Sequence, residues 1–400
     1  MNGRGNWRLT APLALLGLAA LACNLTGGAA VPTATPIPPA PPSSTPVPTP
    51  VPATATAAAT ATTAPSPTVT VAPPTATLTP TSTFLLAIAG PDNKVGLVTS
   101  DGQKVPLSQA PGVLYALATL SSDPAASAHA YAIGPQGVTE LSFVNNSSQG
   151  FASFTGASAP KGEVAWDHYS PTPNANGTLN SDIFIANADG SNLRSVVQLS
   201  GDHVLHAVRF SPDGQRLYYS QEPLGLGGYI LFGGVSDLWA LDLASGKSQQ
   251  LVPQAAAGTI CLDDFSADAG LVTLHCAEKT ISVLDTTNGN VGVISAPAAL
   301  TDWAQHGDAL IGPDQTRVAY GLARGDGNNE QGWVAVSDSL SGTSRLIATA
   351  PAGDYFSVKG WLDSATLVLQ SWRPTPAVWL AKADGSDLRR LADGIFLGGG

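Results

Sequence analysis

Basic residues are scarce in this chain, and nowhere do they cluster. Lys and Arg number 18 against 29 Asp and Glu, the formal net charge is −11, and charged residues make up 12% of the 400 positions, about half the usual share. That balance argues against a nucleic-acid partner, whose phosphates need grouped Lys and Arg. Chemical motifs are missing too. The six histidines, His129, His168, His203, His206, His275 and His306, form no close-spaced metal motif such as His-Glu-x-x-His. There is no Gly-x-Ser-x-Gly elbow and no α/β region to hold a hydrolase triad. Asp263-Asp264 and the acids from Asp326 to Glu330 do not fit a calcium loop and read as solvated loop carboxylates. The expectation is a non-enzyme without cofactor or metal.

Long apolar runs are equally few. One stretch, Ala11 to Ala22, follows Arg4 and Arg8. It falls short of the roughly 20 residues that span a bilayer and fits the apolar core of an export signal. It ends in Ala20-Leu21-Ala22-Cys23, which resembles a bacterial lipoprotein processing site. That pattern prefers Leu three residues before the Cys, where this chain has Ala20. The resemblance implies a signal peptide over 1–22 and a lipid on Cys23, anchoring the protein to the outer face of a bacterial membrane. A plain secretory signal is the alternative.

Residues 23–83 are Pro, Thr, Ala, Val and Ser with almost no charge. Dense prolines remove backbone donors and favour extended chain. Such composition buries too little apolar surface to offset its ordering entropy. A disordered, stalk-like linker is expected, and no site belongs to it.

From Phe84 the texture changes to short alternating strands separated by Gly, Asp and Asn turns. Arg209-Phe210-Ser211-Pro212-Asp213-Gly214-Gln215-Arg216-Leu217-Tyr218-Tyr219-Ser220 reads as strand, tight turn and strand. Pro212 presets φ, Asp213 bonds its own backbone, and Gly214 accepts positive φ. A second unit, a strand closed by Asp-Gly or a relative, recurs at Asp182–Leu193, Asp237–Gly246 and Ala377–Leu388, and more weakly at Val95–Gly102, Ile281–Gly289 and Trp333–Gly342. Strands A and B about the first turn, and C and D about the second, make a four-stranded antiparallel unit. Its repetition predicts an all-β fold, a β-propeller. Residues 84–400 divide into seven units of about 45, the length of a blade; six blades is the alternative. Blade 1 lacks its own A strand, which Gly394–Leu397 at the C-terminus is placed to supply. The Ser-Pro-Asp-Gly hairpin with its strand–Asp-Gly units resembles the WD40-like repeats of TolB-type proteins. The resemblance implies a propeller that binds proteins or small ligands, or serves a larger enzyme without catalysing.

Three A strands begin with Asp and a ring: Asp202-His203, Asp302-Trp303 and Asp354-Tyr355. In a propeller they converge at the end where D–A and B–C connections lie, which suits a polar or cationic ligand. The apolar blade-4 loop, with Tyr229 and Phe232, is a candidate partner surface. Trp239, Trp333 and Trp379 read as core. Cys261 and Cys276 flank one A–B turn, so a cross-strand disulfide is favoured over buried thiols in an exported protein. The expected function is a membrane-tethered, monomeric binding module for a protein, peptide or glycan. The alternatives are a propeller lyase, lactonase or hydrolase built on Asp202, His203, Asp302 and His306, or an envelope scaffold.

Overall fold

The structure is a computed structural model that describes residues 84–121, 126–145, 153–156, 162–169, 178–223, 231, 234–253, 262–275, 280–325 and 330–399. All lie within the unit Leu78–Gly400. The signal peptide, Cys23, the linker, Tyr229, Phe232, Cys261 and Cys276 fall outside the described residues.

Blade 1 contains β1 (Leu85–Ala89), β2 (Val95–Thr99) and β3 (Lys104–Val105). Blade 2 has β4 (Leu114–Ala118), β5 (His129–Gly134) and β6 (Gly137–Glu140), then a single helical turn α1 (Ser142–Asn145). Blade 3 runs β7 (Phe154–Gly156), β8 (Glu163–Tyr169), β9 (Leu179–Asn187) and β10 (Arg194–Gly201). Blade 4 is β11 (His203–Phe210), β12 (Arg216–Pro223), β13 (Leu238–Asp242) and β14 (Ser248–Val252). Blade 5 follows with β15 (Leu262–Phe265), β16 (Leu271–Leu274), β17 (Thr280–Asp285) and β18 (Val291–Ser295). Blade 6 has β19 (Gln305–Ile311), β20 (Val318–Arg324), β21 (Gln331–Ser337), β22 (Gly342–Thr343) and β23 (Arg345–Thr349). Blade 7 has β24 (Phe356–Asp363), β25 (Thr366–Ser371), β26 (Ala377–Lys382) and β27 (Leu388–Asp393), and β28 (Ile395–Gly399) ends the chain.

These strands form seven sheets in a ring, a seven-bladed β-propeller, as the repeat predicts. Within blades every pairing is antiparallel. β22 leaves blade 6 to pair in parallel with the outer strand β18 of blade 5. β28 pairs antiparallel with β1, Phe396 opposite Ile88, so the C-terminal strand does supply the missing A strand of blade 1.

The A–B turns show why the repeat carries Asp. The Ser211 hydroxyl donates to Asp213 Oδ1 at 2.6 Å and accepts from the Arg216 N–H at 2.9 Å, while Asp213 Oδ1 accepts from the Gln215 N–H. Gly214 closes the turn at φ +64°. Ser266, Asp268 and Leu271 reproduce the same bonds in blade 5 although the sequence there is Ser-Ala-Asp-Ala, with Ala269 at φ +58°. The Asx geometry is therefore retained where Gly is lost.

Blades pack face to face through aliphatic layers. Ile183 and Ile185 of blade 3 meet Leu205, Leu217 and Tyr219 of blade 4, all at most 2% exposed. Each such aliphatic chain contributes about 1.5–3 kcal/mol by leaving water. The three C-strand tryptophans belong to these layers; Trp239 stacks on Tyr219 and donates Nε1–H to Asp237 at 2.7 Å.

Gln370, fully buried on β25, ties the closure together. Its Nε2 donates to the Ala377 and Gly394 carbonyls, and its Oε1 accepts the Phe396 N–H at 2.9 Å. Gln370→Ala leaves those groups unpaired, and a loss of about 2–4 kcal/mol is expected. Urea unfolding of the two proteins side by side measures it.

Candidate functional site

Strand A is the edge strand of each blade and lines the central channel. In blade 6 that strand is irregular. The β19–β20 register jumps between Gly307↔Gly321 and Leu310↔Ala319, a bulge that leaves Asp308 and Ala309 without ordinary partners. Asp308 sits in the left-handed region at φ +51°, which Asp tolerates better than most residues. Bulges of this kind re-aim a side chain. Asp308 is half-buried, and its buried Oδ2 has no hydrogen-bond partner among the described residues.

The flanking blades both reach this carboxyl. From blade 5 come the charges of Asp263 and His275, and from blade 7 Ser357 and the charge of Lys359. Blades 5 and 7 lie on opposite faces of blade 6, so they meet a common residue at its channel edge. Asp263 Oδ2 accepts the Ala309 N–H at 3.2 Å, and its Oδ1 lies 2.8 Å from His275 Nδ1. Asp264 accepts the Ile311 N–H at 3.0 Å and pairs with Arg209, whose guanidinium stacks 3.7 Å over Phe265. Burial pushes Asp308 up to about 6, with Asp263 adding to the rise and Lys359, Ser357 and His275 opposing it. Burial works against charge on His275 as well, but the hydrogen bond and charge of Asp263, with Asp308, outweigh it and raise the imidazole above its usual value.

Blade 7 extends this wall. Asp354 is 1% exposed and accepts the N–H groups of Tyr355, Trp372 and Arg373 between 2.8 and 3.2 Å. It therefore caps the B–C loop of blade 7. Tyr355, raised chiefly by desolvation, feels the charges of Arg373, Asp308, Asp354 and Glu330. Glu330 is buried against Arg373 through Oε2, while its Oε1 has no hydrogen-bond partner among the described residues. The Lys359 ammonium lies 5.5 Å over the Trp372 ring.

A second buried group joins blades 3 and 4. His206 Nε2 lies 3.3 Å from Glu222 and its Nδ1 3.9 Å from Asp167. Desolvation pulls His206 down to about 4 and pushes Glu222 up to about 7. Asp167 also accepts the Ser153 N–H and hydroxyl. These contacts fasten neighbouring blades.

The residues expected from sequence scatter. Asp202 is 93% exposed and pairs with His203 at 2.6 Å. Asp302 pairs with Arg324 at the surface, and Trp303 is core, 5.5 Å from the His306 ring. His306 Nε2 meets the Thr280 carbonyl at 2.9 Å. The set Asp202, His203, Asp302 and His306 is thus not brought together, and of the three Asp-ring pairs Tyr355 reaches the wall. Asp263, Asp264 and Glu330 are not solvated loop acids, a correction with a simple cause: two lie on an inner strand and the third faces Arg373. Asp308 was missed, though a Gly-Asp pair inside an alternating strand, Gly307-Asp308, is a bulge signal. The blade-4 loop also departs from an exposed apolar surface in its described part. Leu231 is fully buried against Gly307 and Gly321 of blade 6, and Val235 bridges Leu262 along the inner edge of blade 5.

No family model matches the chain, and no curated protein does. Solved structures resemble it at low identity. Prolyl oligopeptidase B from Galerina marginata is 12% identical, with 78% of this chain and 42% of that one covered and a TM-score of 0.42. An oligogalacturonate lyase in complex with manganese is 15% identical over 57% of this chain and 60% of the other, TM-score 0.37. A Mycobacterium tuberculosis puromycin-hydrolyzing peptidase is 14% identical over 60% and 38%, TM-score 0.37. The chain spans less than two thirds of each of these proteins. The expectation of a non-enzyme is corrected: it rested on a missing motif, and the solved structures named are enzymes. Likeness at this level transfers no residue, substrate or reaction to this chain.

Asp308 binds its proton more tightly folded than unfolded, where a carboxyl titrates near about 4. Its contribution to stability is therefore full at low pH and is lost as pH rises through about 6. Asp308→Asn is expected to gain on the parent by about 2–3 kcal/mol between pH 4 and 7 and to hold that gain above. Denaturant midpoints compared across pH read this difference directly; a pH-independent gap would show that Asp308 titrates normally.

Proposed function

We propose that the propeller recognises a small polar group, on a free ligand or on a peptide, at the B–C/D–A end of its channel. The wall shared by blades 5, 6 and 7 is the site, and Asp308 is the group that meets the ligand. The observation that carries this reading is a buried carboxylate oxygen without a partner among the described residues, held at a bulge in left-handed backbone. Strain and an unmet polar atom in one residue cost stability, which is the usual mark of a functional position. Tyr355 supplies an apolar ring with a polar tip, and His275 and Asp263 set the charge.

A second reading is favoured by one feature of the same wall. A carboxyl that titrates near 6 beside a histidine with raised proton affinity is suited to general acid–base chemistry on the bound ligand. Under that reading Asp308 moves the proton and His275 holds Asp263 in place.

The address belongs to the proposal as well. Ala20-Leu21-Ala22-Cys23 supports a lipid on Cys23, with the Pro/Thr-rich stretch to residue 83 as a stalk. Kinship with TolB-type repeats rests on Ser211–Gly214 and its companion strand–Asp-Gly units. Expression of the full chain in a bacterium fed labelled palmitate is expected to label the parent and not Cys23→Ser.

Binding is tested by thermal shift on the purified protein against amino acids, amines, sugar acids and short peptides. A ligand near a hundredfold its Kd stabilises by about 2.7 kcal/mol. The rise in midpoint is expected to vanish in Asp308→Asn and to shrink in Tyr355→Phe. A rise that survives in both variants would move the site elsewhere.

A further inference from the structure

Blade 2 stops one strand short. Its sheet is β4–β5–β6, whereas every other blade has a fourth strand among the described residues. Leu141 and Val144 explain the stop. Both are at most 3% exposed and pack with Trp166 of blade 3, so the chain leaves β6 by turning inward. No described residue pairs with the outer edge of β6, and Val138, Thr139 and Glu140 are all exposed. Its outward groups follow from the ladder. The Leu141 N–H donates to the Ala130 carbonyl, and Ile133↔Val138 and Tyr131↔Glu140 belong to the same register. Bonded and unbonded pairs alternate in an antiparallel ladder, so Val138 and Glu140 turn their N–H and C=O groups away from β5.

The side chains say what belongs there. Ala87, Leu97 and Val105 form a row across blade 1, and Leu114, Ile133 and Val138 form one across blade 2. The two rows meet in one apolar layer. Ala87, Leu97 and Ile133 are at most 5% exposed in it, and Val105 and Leu114 pack at its margin. The layer gives out at Val138, which is 37% exposed. On the same face of β6 stands Glu140, whose side chain is 45% exposed and lies 2.8 Å from His129 Nδ1. We infer that the β6 edge is a docking strand for an extended segment of a partner protein, which adds antiparallel as the fourth strand of blade 2. The segment sets an aliphatic residue opposite Val138 and a Lys or Arg opposite Glu140.

Each feature of that occupant has a counterpart in the fold. The outer strands already present bring a buried aliphatic residue with exposed neighbours, Val252 on β14, Ile294 on β18 and Ile347 on β23. Arg345 stands two positions before Ile347, and Arg389 two before Leu391, the same basic–aliphatic spacing. An outer edge of this propeller also accepts an added strand elsewhere, since β22 pairs with β18. In strand addition main-chain bonds supply affinity and alternate side chains supply specificity. A Lys or Arg across from Glu140 is a favourable cross-strand pair, and the net charge of −11 attracts a basic segment at long range. A second copy of β6 fits less well, because it brings a carboxylate together with its one valine.

Fluorescence anisotropy with the full chain and a labelled peptide, Ser-Thr-Lys-Thr-Val-Thr-Ser, tests the inference. A second peptide carries N-methyl groups on its Lys and Val, which removes the strand-pairing donors and keeps both side chains. The first peptide is expected to bind, and the N-methylated one to bind at least about tenfold more weakly. Val138→Pro removes an outward N–H and no ladder bond to β5, and should weaken the first peptide by a similar factor. Glu140→Lys should reverse the preference, favouring a peptide with Glu in place of Lys. Val291→Asp, at a 57% exposed position on β18, should change nothing. Hydrogen exchange followed by NMR should show the Val138 and Glu140 amides protected in the complex, with Thr139 already protected without peptide. No binding, equal binding of the two peptides, or protection elsewhere overturns the proposal. Sedimentation of the parent and of Val138→Pro covers the remaining case: a dimer that the substitution dissolves makes a second copy the occupant and overturns the partner segment. Circular dichroism of each variant separates lost binding from lost folding, and the N-methylated peptide does so without altering the protein.

Discussion

Every blade of a propeller begins with a strand that has a neighbour on one side and the channel on the other. The backbone groups along that free edge are buried among the inner strands and must still be paired. In this chain the neighbouring blades supply partners, the preceding one most often. Ser181 and Ser153 of blade 3 accept the Leu205 and Ala207 N–H groups of blade 4. Asp263 and Asp264 of blade 5 accept Ala309 and Ile311 of blade 6, and Thr273 returns a hydroxyl to the Ala309 carbonyl. Trp361 of blade 7 donates to Leu310, and Gln370 accepts Phe396 of the closing strand. The ring is thus held by polar side chains at its centre and by aliphatic layers farther out.

That requirement explains why the chemistry collects where it does. A chain with so few charges nevertheless places carboxylates at its most buried edge, because serine and threonine alone do not reach every donor. Once Asp263 and Asp264 are committed to capping, they set the field for whatever stands next to them. Asp308 stands there without a capping duty, on an extra residue that the bulge inserts. Structural acids and one with an unpaired oxygen are neighbours for the same geometric reason.

How much of this could be read from residues alone follows from range. The turns were legible because Ser211, Asp213 and Gly214 satisfy one another within a few positions. Ring closure was legible because blade 1 visibly starts one strand late and Gly394–Leu397 has no other blade to join. Asp202, Asp302 and Asp354 were legible as strand-starting acids but not as to their fates. Asp354 turns inward to hold Trp372 and Arg373, about twenty residues away, and Asp302 finds Arg324 across a hairpin. The polar wall was hidden because Asp263, Asp308 and Glu330 lie in two blades and far apart in the chain. Their burial depends on inter-blade packing, which no local pattern encodes.

The pairing of β28 with β1 joins residues more than three hundred positions apart. Every other blade assembles from strands near in sequence, so those contacts form at small cost in chain entropy, whereas this one must close the longest loop in the domain. The order of folding is thereby constrained: six blades can zip from local hairpins, and the seventh waits for the last strand. Until it docks, β1 presents an open hydrophobic edge of Leu86 and Ile88, the surface through which two partly folded copies would exchange their ends.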